Sequence, residues 1–578
     1  MTTVVLTPQD FLDPVALANK LAAAINEGDG AGLEGFTATY VAEPYDGATN
    51  PAGVLQAYDG TDATDPVDVV LMPGGQREGE PDGNITYGAI QATLSDGTPI
   101  GGNQRGTGAV DFQMFRTDPS QVASGISAFA AGSANVASGW ISTAFGDANE
   151  ITGFISYGEG SGNVEAGSIN HVEGADNTAD GTYVHVEGEG NNVGGVSMHV
   201  EGSGNTAEGE LQYVHVEGYQ NTVNNSYSHA EGSGNTINAG GAYSHVEGNG
   251  NSTSGNAAHA EGSGTQANGA QSHAEGSGTL AESIGDHAEG VNTAANSAGG
   301  GGAHAEGLST AASGPQSHAE GNTTQALSNG DHAEGYNTTA NSGGDGNYGA
   351  HAEGDSTQAL NDGAHSEGGY TVASGYNSHA EGQSTVAAGD SSRAEGINTA
   401  AYGYASRVEG NFATDYGVSG VSVRGAYGSS ILGHAQSTIA LFVTETEDAT
   451  PTVMTIDNQD PSTINQVILG QDNALYFADV YLTGKVTGAS DWVSIWAQVT
   501  AQRGTGAASV TIPTSVGGTN PALALTSYGS VTGLTWGSGS PLALVADTDN
   551  GALQIQITGA ADTNIQWYAE VRTREQVF

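Results

Sequence analysis

Ser272-His273-Ala274-Glu275-Gly276-Ser277-Gly278-Thr279 is the stretch whose reading decides the fold. Its core, His-x-Glu-Gly, returns every fourteen residues wherever nothing is inserted, and fifteen of the 16 histidines of the chain sit in it. The pairs are His171 and Glu173, His185 and Glu187, His199 and Glu201, His215 and Glu217, His229 and Glu231, His245 and Glu247, His259 and Glu261, His273 and Glu275, His287 and Glu289, His304 and Glu306, His318 and Glu320, His332 and Glu334, His351 and Glu353, His365 and Glu367, and His379 and Glu381. Degenerate copies carry the register upstream through Tyr157, Thr143 and Phe129 and downstream through Arg393 and Arg407, giving roughly twenty units over residues 124–425. A fixed short period defines a repeat architecture, in which units stack instead of enlarging one core.

Alternate residues of a strand face opposite sides, so Ser272, Ala274 and Gly276 share one face while His273 and Glu275 share the other. A second segment, Thr265-Gln266-Ala267-Asn268-Gly269 or Thr385-Val386-Ala387-Ala388-Gly389, repeats the alternation with Thr, Ala and Gly inward. Inner faces this small predict a thin parallel roll with two strands per turn and no room inside for anything larger. At a strand spacing of roughly 4.8 Å the units would extend on the order of 95 Å. Glycine and β-branched threonine at this density oppose a helix. The units ending at His215, His245, His304 and His351 are longer than the rest, and their extra residues all fall just before the histidine. Larger loops are therefore expected along one edge.

Charge narrows the partners. Eleven Lys and Arg against 64 Asp and Glu give a formal charge of -53, which repels phosphate backbones and anionic lipid and argues against nucleic acid or membrane insertion. There is no cysteine, so disulfides and thiolate metal sites are excluded. The acidic run from Asp59 to Asp68 lacks the spacing of a calcium loop. Fifteen histidines with carboxylates two residues on invite a zinc reading, but the motif repeats in every turn whereas metal sites are local. No cofactor is expected, a divalent cation being the alternative. Met1-Thr2-Thr3-Val4-Val5 lacks the basic and apolar regions of an export signal, so synthesis in the cytoplasm is expected.

Four segments follow. Residues 1–123 read as a small attachment domain of α/β type, with a helix capped by Asp13 and Pro14 and carrying Val15, Leu17, Leu21 and Ile25, then short β runs at Val67–Met72 and Ile85–Leu94. Residues 124–425 are the repeat shaft. Residues 426–490 are a β connector with strands at Thr438–Thr446, Thr452–Ile456 and Val467–Phe477, and residues 491–578 a β-sandwich tip with runs at Ala508–Ile512, Leu542–Ala546, Ala552–Ile557 and Ile565–Val571. The tip holds Trp492, Trp496, Trp536 and Trp567. Trp492, Trp496, Tyr528 and Trp536 are its candidate receptor-binding residues, Trp536 because it lies beside a glycine turn where an exposed ring could stack on a sugar.

Ser-x-Ala-x-Gly alternating with Thr-x-Ala-x-Gly at fourteen residues resembles the head repeat of trimeric autotransporter adhesins of the YadA type, and the His-Ala-Glu-Gly variant is similar to repeats in bacteriophage tail fibres and tailspikes. The resemblance covers about half the chain. It implies an all-β homotrimer built on a left-handed parallel β-roll. Asn564-Ile565-Gln566-Trp567-Tyr568-Ala569-Glu570-Val571-Arg572 resembles the final strand of phage fibre tips. The adhesin family carries aliphatic residues where His273 and Glu275 stand, and these pack between subunits. The histidines and glutamates are accordingly expected to line the trimer interface, each imidazole donating to a Glu of a neighbouring turn or chain. Such pairing would raise the histidine pKa. The expected function is that of a phage tail fibre on the virion: a tail or baseplate protein holds residues 1–123, and the tip meets a host surface glycan or protein. The alternatives are a bacterial cell-surface adhesin and a glycan-depolymerising tailspike. No nucleophile elbow, zinc-protease motif or phosphate loop is present, so no enzyme activity is expected.

Overall fold

A computed structural model describes residues 102–512, apart from 299, 344–347 and 428–429, and residues 541–577. Beyond these it describes residues 97–98 and the strands Thr37–Val41, Val54–Tyr58, Val67–Leu71, Ile90–Gln91 and Thr526–Tyr528. The helix expected after Asp13 lies outside the described residues, as does Trp536. Among the described residues the fold is all-β, without an α-helix, and is dominated by a parallel β-solenoid of about 21 turns with a repeat of ~14 residues. The chain divides into two compact units, Met1–Ala270 and Gln271–Phe578.

In the first unit Thr37–Val41, Val54–Tyr58, Val67–Leu71 and Ile90–Gln91 pair antiparallel in succession. The next pairings, onto Val110–Phe115 and then Phe129–Ser133, are parallel. The solenoid register thus starts at Val110, before the expected boundary at 124, and runs through Phe129, Thr143, Tyr157 and His171 to His259. In the second unit it runs from His273 to Arg393, Arg407 and Ser422.

Each turn has the two inward-facing segments read from the sequence. Ser272 and Ala274, and Thr265 and Ala267, are buried, whereas Gln266 is exposed. The second segment pairs over only two residues, such as Gln266–Ala267, and not over five. Three positions per turn require positive φ, which explains the abundance of glycine and asparagine. Gly278 and Asn292 hold one corner at 65° and 52°, Gly285 and Asn377 the other at 68° and 51°. The motif glycine is the third. At Gly276, with φ 115°, an added Cβ would lie 2.0 Å from the carbonyl oxygen of Gly290 in the next turn, so no other residue fits.

The expectation that nothing larger than Thr fits inside is corrected by the first unit. Val172, Val186, Val200, Val216 and Val246 are buried at the position of Ala274. Gly158 takes that position where Ile151 fills the opposite wall: a Cβ on Gly158 would meet the Ile151 side chain at 2.2 Å. At the position of Thr265 the first unit buries a column of asparagines from Asn135 to Asn251. Asn177 is representative. Its amide nitrogen donates to the carbonyls of Glu173 at 3.1 Å and Gly188 at 2.9 Å, while its oxygen accepts the backbone N–H of Asn191 at 3.0 Å. The side chain thus stitches the motif strand of its own turn to that of the next, and so satisfies a buried amide.

In the second unit threonine replaces asparagine. Thr310, Thr324, Thr338 and Thr385 are fully buried, and their hydroxyls have no hydrogen-bond partner. Two buried aspartates brace the insertions. Asp286 accepts the N–H groups of Ser283, Ser297 and Ala303 at 2.8, 3.1 and 3.0 Å, and Asp331 those of Ser328, Ser342 and Ala350 at 2.7, 3.2 and 2.8 Å. Each replaces the serine that precedes the histidine in a standard turn, directly before a long insertion.

The solenoid ends are polar. Asp111 occupies the alanine position of the first parallel turn and is buried between Arg105, at 2.7 Å, and Arg116, at 2.8 Å. At the other end Gln436 exchanges two 2.9 Å hydrogen bonds with the backbone of Thr414, terminating the ladder on a side chain.

Ser422–Gly425 then pairs antiparallel with Gln436–Thr446 and opens a sandwich. One sheet runs Gln436–Thr446, Ile565–Val577, Ala474–Val486, Trp492–Arg503, all antiparallel. The other joins Pro451–Met454, Val467–Ile468, Ala552–Thr558 and Leu542–Asp547. Both sheets mix strands from either side of residue 490, so the expected boundary between connector and tip does not hold: the two form one module. Its core contains Phe442, Leu482, Ile555 and Trp567. Gly484 makes room for the Trp567 ring, which a Cβ would approach to 2.5 Å.

Candidate functional site

Two surfaces carry the residues singled out in the sequence. The first is the histidine–glutamate ladder. Because the motif strand alternates, His273 and Glu275 stand outward on either side of buried Ala274, and parallel register places each imidazole directly over the next. Successive ring centroids lie 4.6–5.0 Å apart along His171 to His259 and along His273 to His379. The side chains are about half-exposed, with Nε2 and the Glu oxygen of the same turn 3.4–3.9 Å apart. Most of these separations are too long for a hydrogen bond. The expected donation from imidazole to a Glu is therefore not made within the chain at His287, His304, His318 or His332, whose Nε2 atoms are covered yet unpartnered.

Electrostatics correct a second expectation. The pKa values of His185, His229, His287, His318, His351 and His365 are lowered, first by burial and next by the neighbouring histidines, and the nearby glutamates only partly offset this. Burial disfavours the charged imidazole, and stacking at one ring per turn sets a like group above and below each one, which together outweigh the nearby carboxylates. Downstream the ladder ends in arginines, whose longer reach does span turns: Arg393 bridges Glu381 and Glu395 at 3.3 Å each, and Arg407 lies 3.7 Å from Glu395 and 3.2 Å from Glu409. Among the described residues no three His, Asp or Glu converge on a point that could hold a metal ion.

The second surface is the outward face of the larger sandwich sheet. Trp492 is exposed and Trp496 half-buried on the same face of Trp492–Arg503. Tyr528 lies in the strand Thr526–Tyr528, where it pairs with Ser494. Trp567, by contrast, is in the core. Sequence reading missed the rest of this face. Tyr481 stands opposite both Trp496 and Glu570, its ring 6.5 Å from that of Trp496 and 5.7 Å from the Arg572 guanidinium. Phe477 and Tyr568 are exposed beside it. Arg572 pairs with Glu570 and Arg574 with Asp479, each at 2.5 Å. The signal available was the period-two placing of Phe477, Tyr481 and Lys485 against Tyr476, Val480 and Leu482. Aromatic rings interleaved with paired, planar charged groups form a surface able to stack on a ligand and hydrogen-bond its rim.

The chain matches no known protein-family model and no curated protein. Among the described residues no helix is long and apolar enough to cross a membrane.

Proposed function

We propose that this chain is the subunit of a homotrimeric attachment fibre of the phage tail-fibre type, with residues 1–123 docked on a tail or baseplate protein and the C-terminal sandwich meeting a host surface glycan or protein. The observation that carries the reading is the hand-over at Ser422–Gly425, where a long repetitive solenoid passes directly into a compact sandwich with an aromatic outer face. A spacer with one display module suits attachment, because reach and recognition are supplied by different segments. In this reading the His–Glu ladder faces the partner chains, which supply acceptors for the Nε2 atoms of His287, His304, His318 and His332, and the virion is the place of action.

Labelled full-length protein incubated with panels of bacterial cells and their purified surface polysaccharides tests this. Saturable binding is expected, weakened at least ten-fold by Tyr481→Ala with Trp492→Ala. Binding unchanged by that pair would remove the sandwich from the role. Release of reducing ends from any polysaccharide would overturn the non-enzymatic reading in favour of a tailspike.

A further inference from the structure

In the first unit the residues two and three before the start of each motif strand, the position of His171 or His185, form an exposed corner rich in apolar side chains. It runs from Trp140 and Ile141 through Ile155, Tyr183 and Tyr213 to Tyr243, and these side chains are 42–60% exposed. None of the sixteen residues at the two corner positions in these eight turns is charged, in a chain of net charge -53. The corner also carries backbone strain. Ile141, Ile155, Tyr183, Tyr213 and Tyr243 have φ between 53° and 62°, where a large or β-branched side chain is unfavourable. The second unit fills the positive-φ position of the same corner with Gly285, Gly330, Gly363 and Asn377, or with the small or unbranched Gln271, Gln316, Ser391 and Ala405, and with no tyrosine or isoleucine. The strained choice in the first unit is therefore not dictated by the turn, and strain maintained at the surface points to a contact.

The rings discriminate between occupants. Tyr227 is sandwiched between Tyr213, at 5.3 Å and 25°, and Tyr243, at 4.8 Å and 11°, so the ring faces are used up on one another and only edges point outward. That geometry suits apolar packing and not a stack on sugar rings. A partner that meets one side chain per turn must share the roughly 4.8 Å repeat of the solenoid, and the element on the page with that repeat is another solenoid. Elsewhere on so acidic a chain two copies repel one another, but not along an uncharged corner. We infer that this corner, from Trp140 to Tyr243, is a seam along which the first unit packs against a second copy of the chain. The inference rests on the multimeric reading above and adds a contact beside the motif strands, two residues before Thr143, Tyr157 and the histidines that follow them.

The test uses the full-length chain and sedimentation velocity over a range of concentrations. Wild type is expected to associate, and Tyr213→Asn with Tyr227→Asn and Tyr243→Asn to raise the dissociation constant at least ten-fold. Asparagine accepts positive φ, so the solenoid should persist, which far-ultraviolet circular dichroism checks. Gln316→Asn with Ser391→Asn, at the same corner of the second unit, is expected to leave the dissociation constant unchanged. As an independent readout, benzoylphenylalanine placed at position 227 should photo-crosslink two chains, and at position 316 should not. Undiminished association of the tyrosine variant, or no interchain crosslink from 227, overturns the seam while leaving the multimeric reading intact. A wild type that stays single-chain at all concentrations overturns both.

Discussion

The same inward position of the roll is solved in two chemically different ways. Asn177 uses its amide to bond three backbone groups, whereas Thr324 and Thr338 bury hydroxyls that bond nothing. Removing a partner from a buried hydrogen bond costs the desolvation of the groups left behind, while replacing an unpartnered polar group by an apolar isostere does not. Asn177→Ala should therefore lower stability by about 1–3 kcal/mol, whereas Thr324→Val with Thr338→Val should be neutral or stabilising. Thermal melts of the two variants beside wild type check this, and a threonine pair as damaging as the asparagine would show that the hydroxyls are satisfied after all. The inward role of Thr265 and Ala267 was legible because alternation is local. The asparagine column was not, since Gly-Asn-Thr reads as a turn and the amide acquires its partners only when a neighbouring turn stacks on it. The braces Asp286 and Asp331 were hidden likewise: a lone Asp before His reads as surface until the insertion folds over it.

At the scale of the element, the His–Glu strip illustrates how position can be read without chemistry. The outward direction of His273 and Glu275 follows from strand period, but the direction of the pKa shift depends on imidazoles stacked less than about 5 Å apart in parallel register. The sign for stability follows. Where the folded-state histidine pKa is lowered, folded and unfolded chains are both neutral above the ordinary value of about 6.5 and stability is full. As pH falls below that value the unfolded chain takes up protons first, so stability declines down to the folded pKa. Melting temperature should therefore fall from pH 7.5 to pH 5.5, and His287→Asn with His318→Asn and His351→Asn should flatten that fall. A melting temperature that rises over this interval in wild type, and not in the variant, would restore the ion-pair reading. The sandwich shows the opposite limit of legibility. Most of its strands were visible as alternating runs, but not that Gln436–Thr446 pairs with Ile565–Val577, because antiparallel partners more than a hundred residues apart leave no local trace.

For the whole molecule, the physical problem is how a chain with such small inner faces and net charge -53 remains folded. Within each chain the polar plugs at Asp111 and Gln436 close the ends of the ladder, and the asparagine column ties turn to turn. Apolar burial per turn is small, and in the proposed trimer partner chains would supply further stabilisation where the covered Nε2 atoms of His287, His304, His318 and His332 and the uncharged corner meet them. Cryo-electron microscopy of the purified full-length protein tests this account most directly. It expects three copies about a common axis with the His–Glu strips turned toward it and the Trp140–Tyr243 corner against a neighbouring copy. Single copies, or an assembly with both surfaces facing solvent, would contradict it.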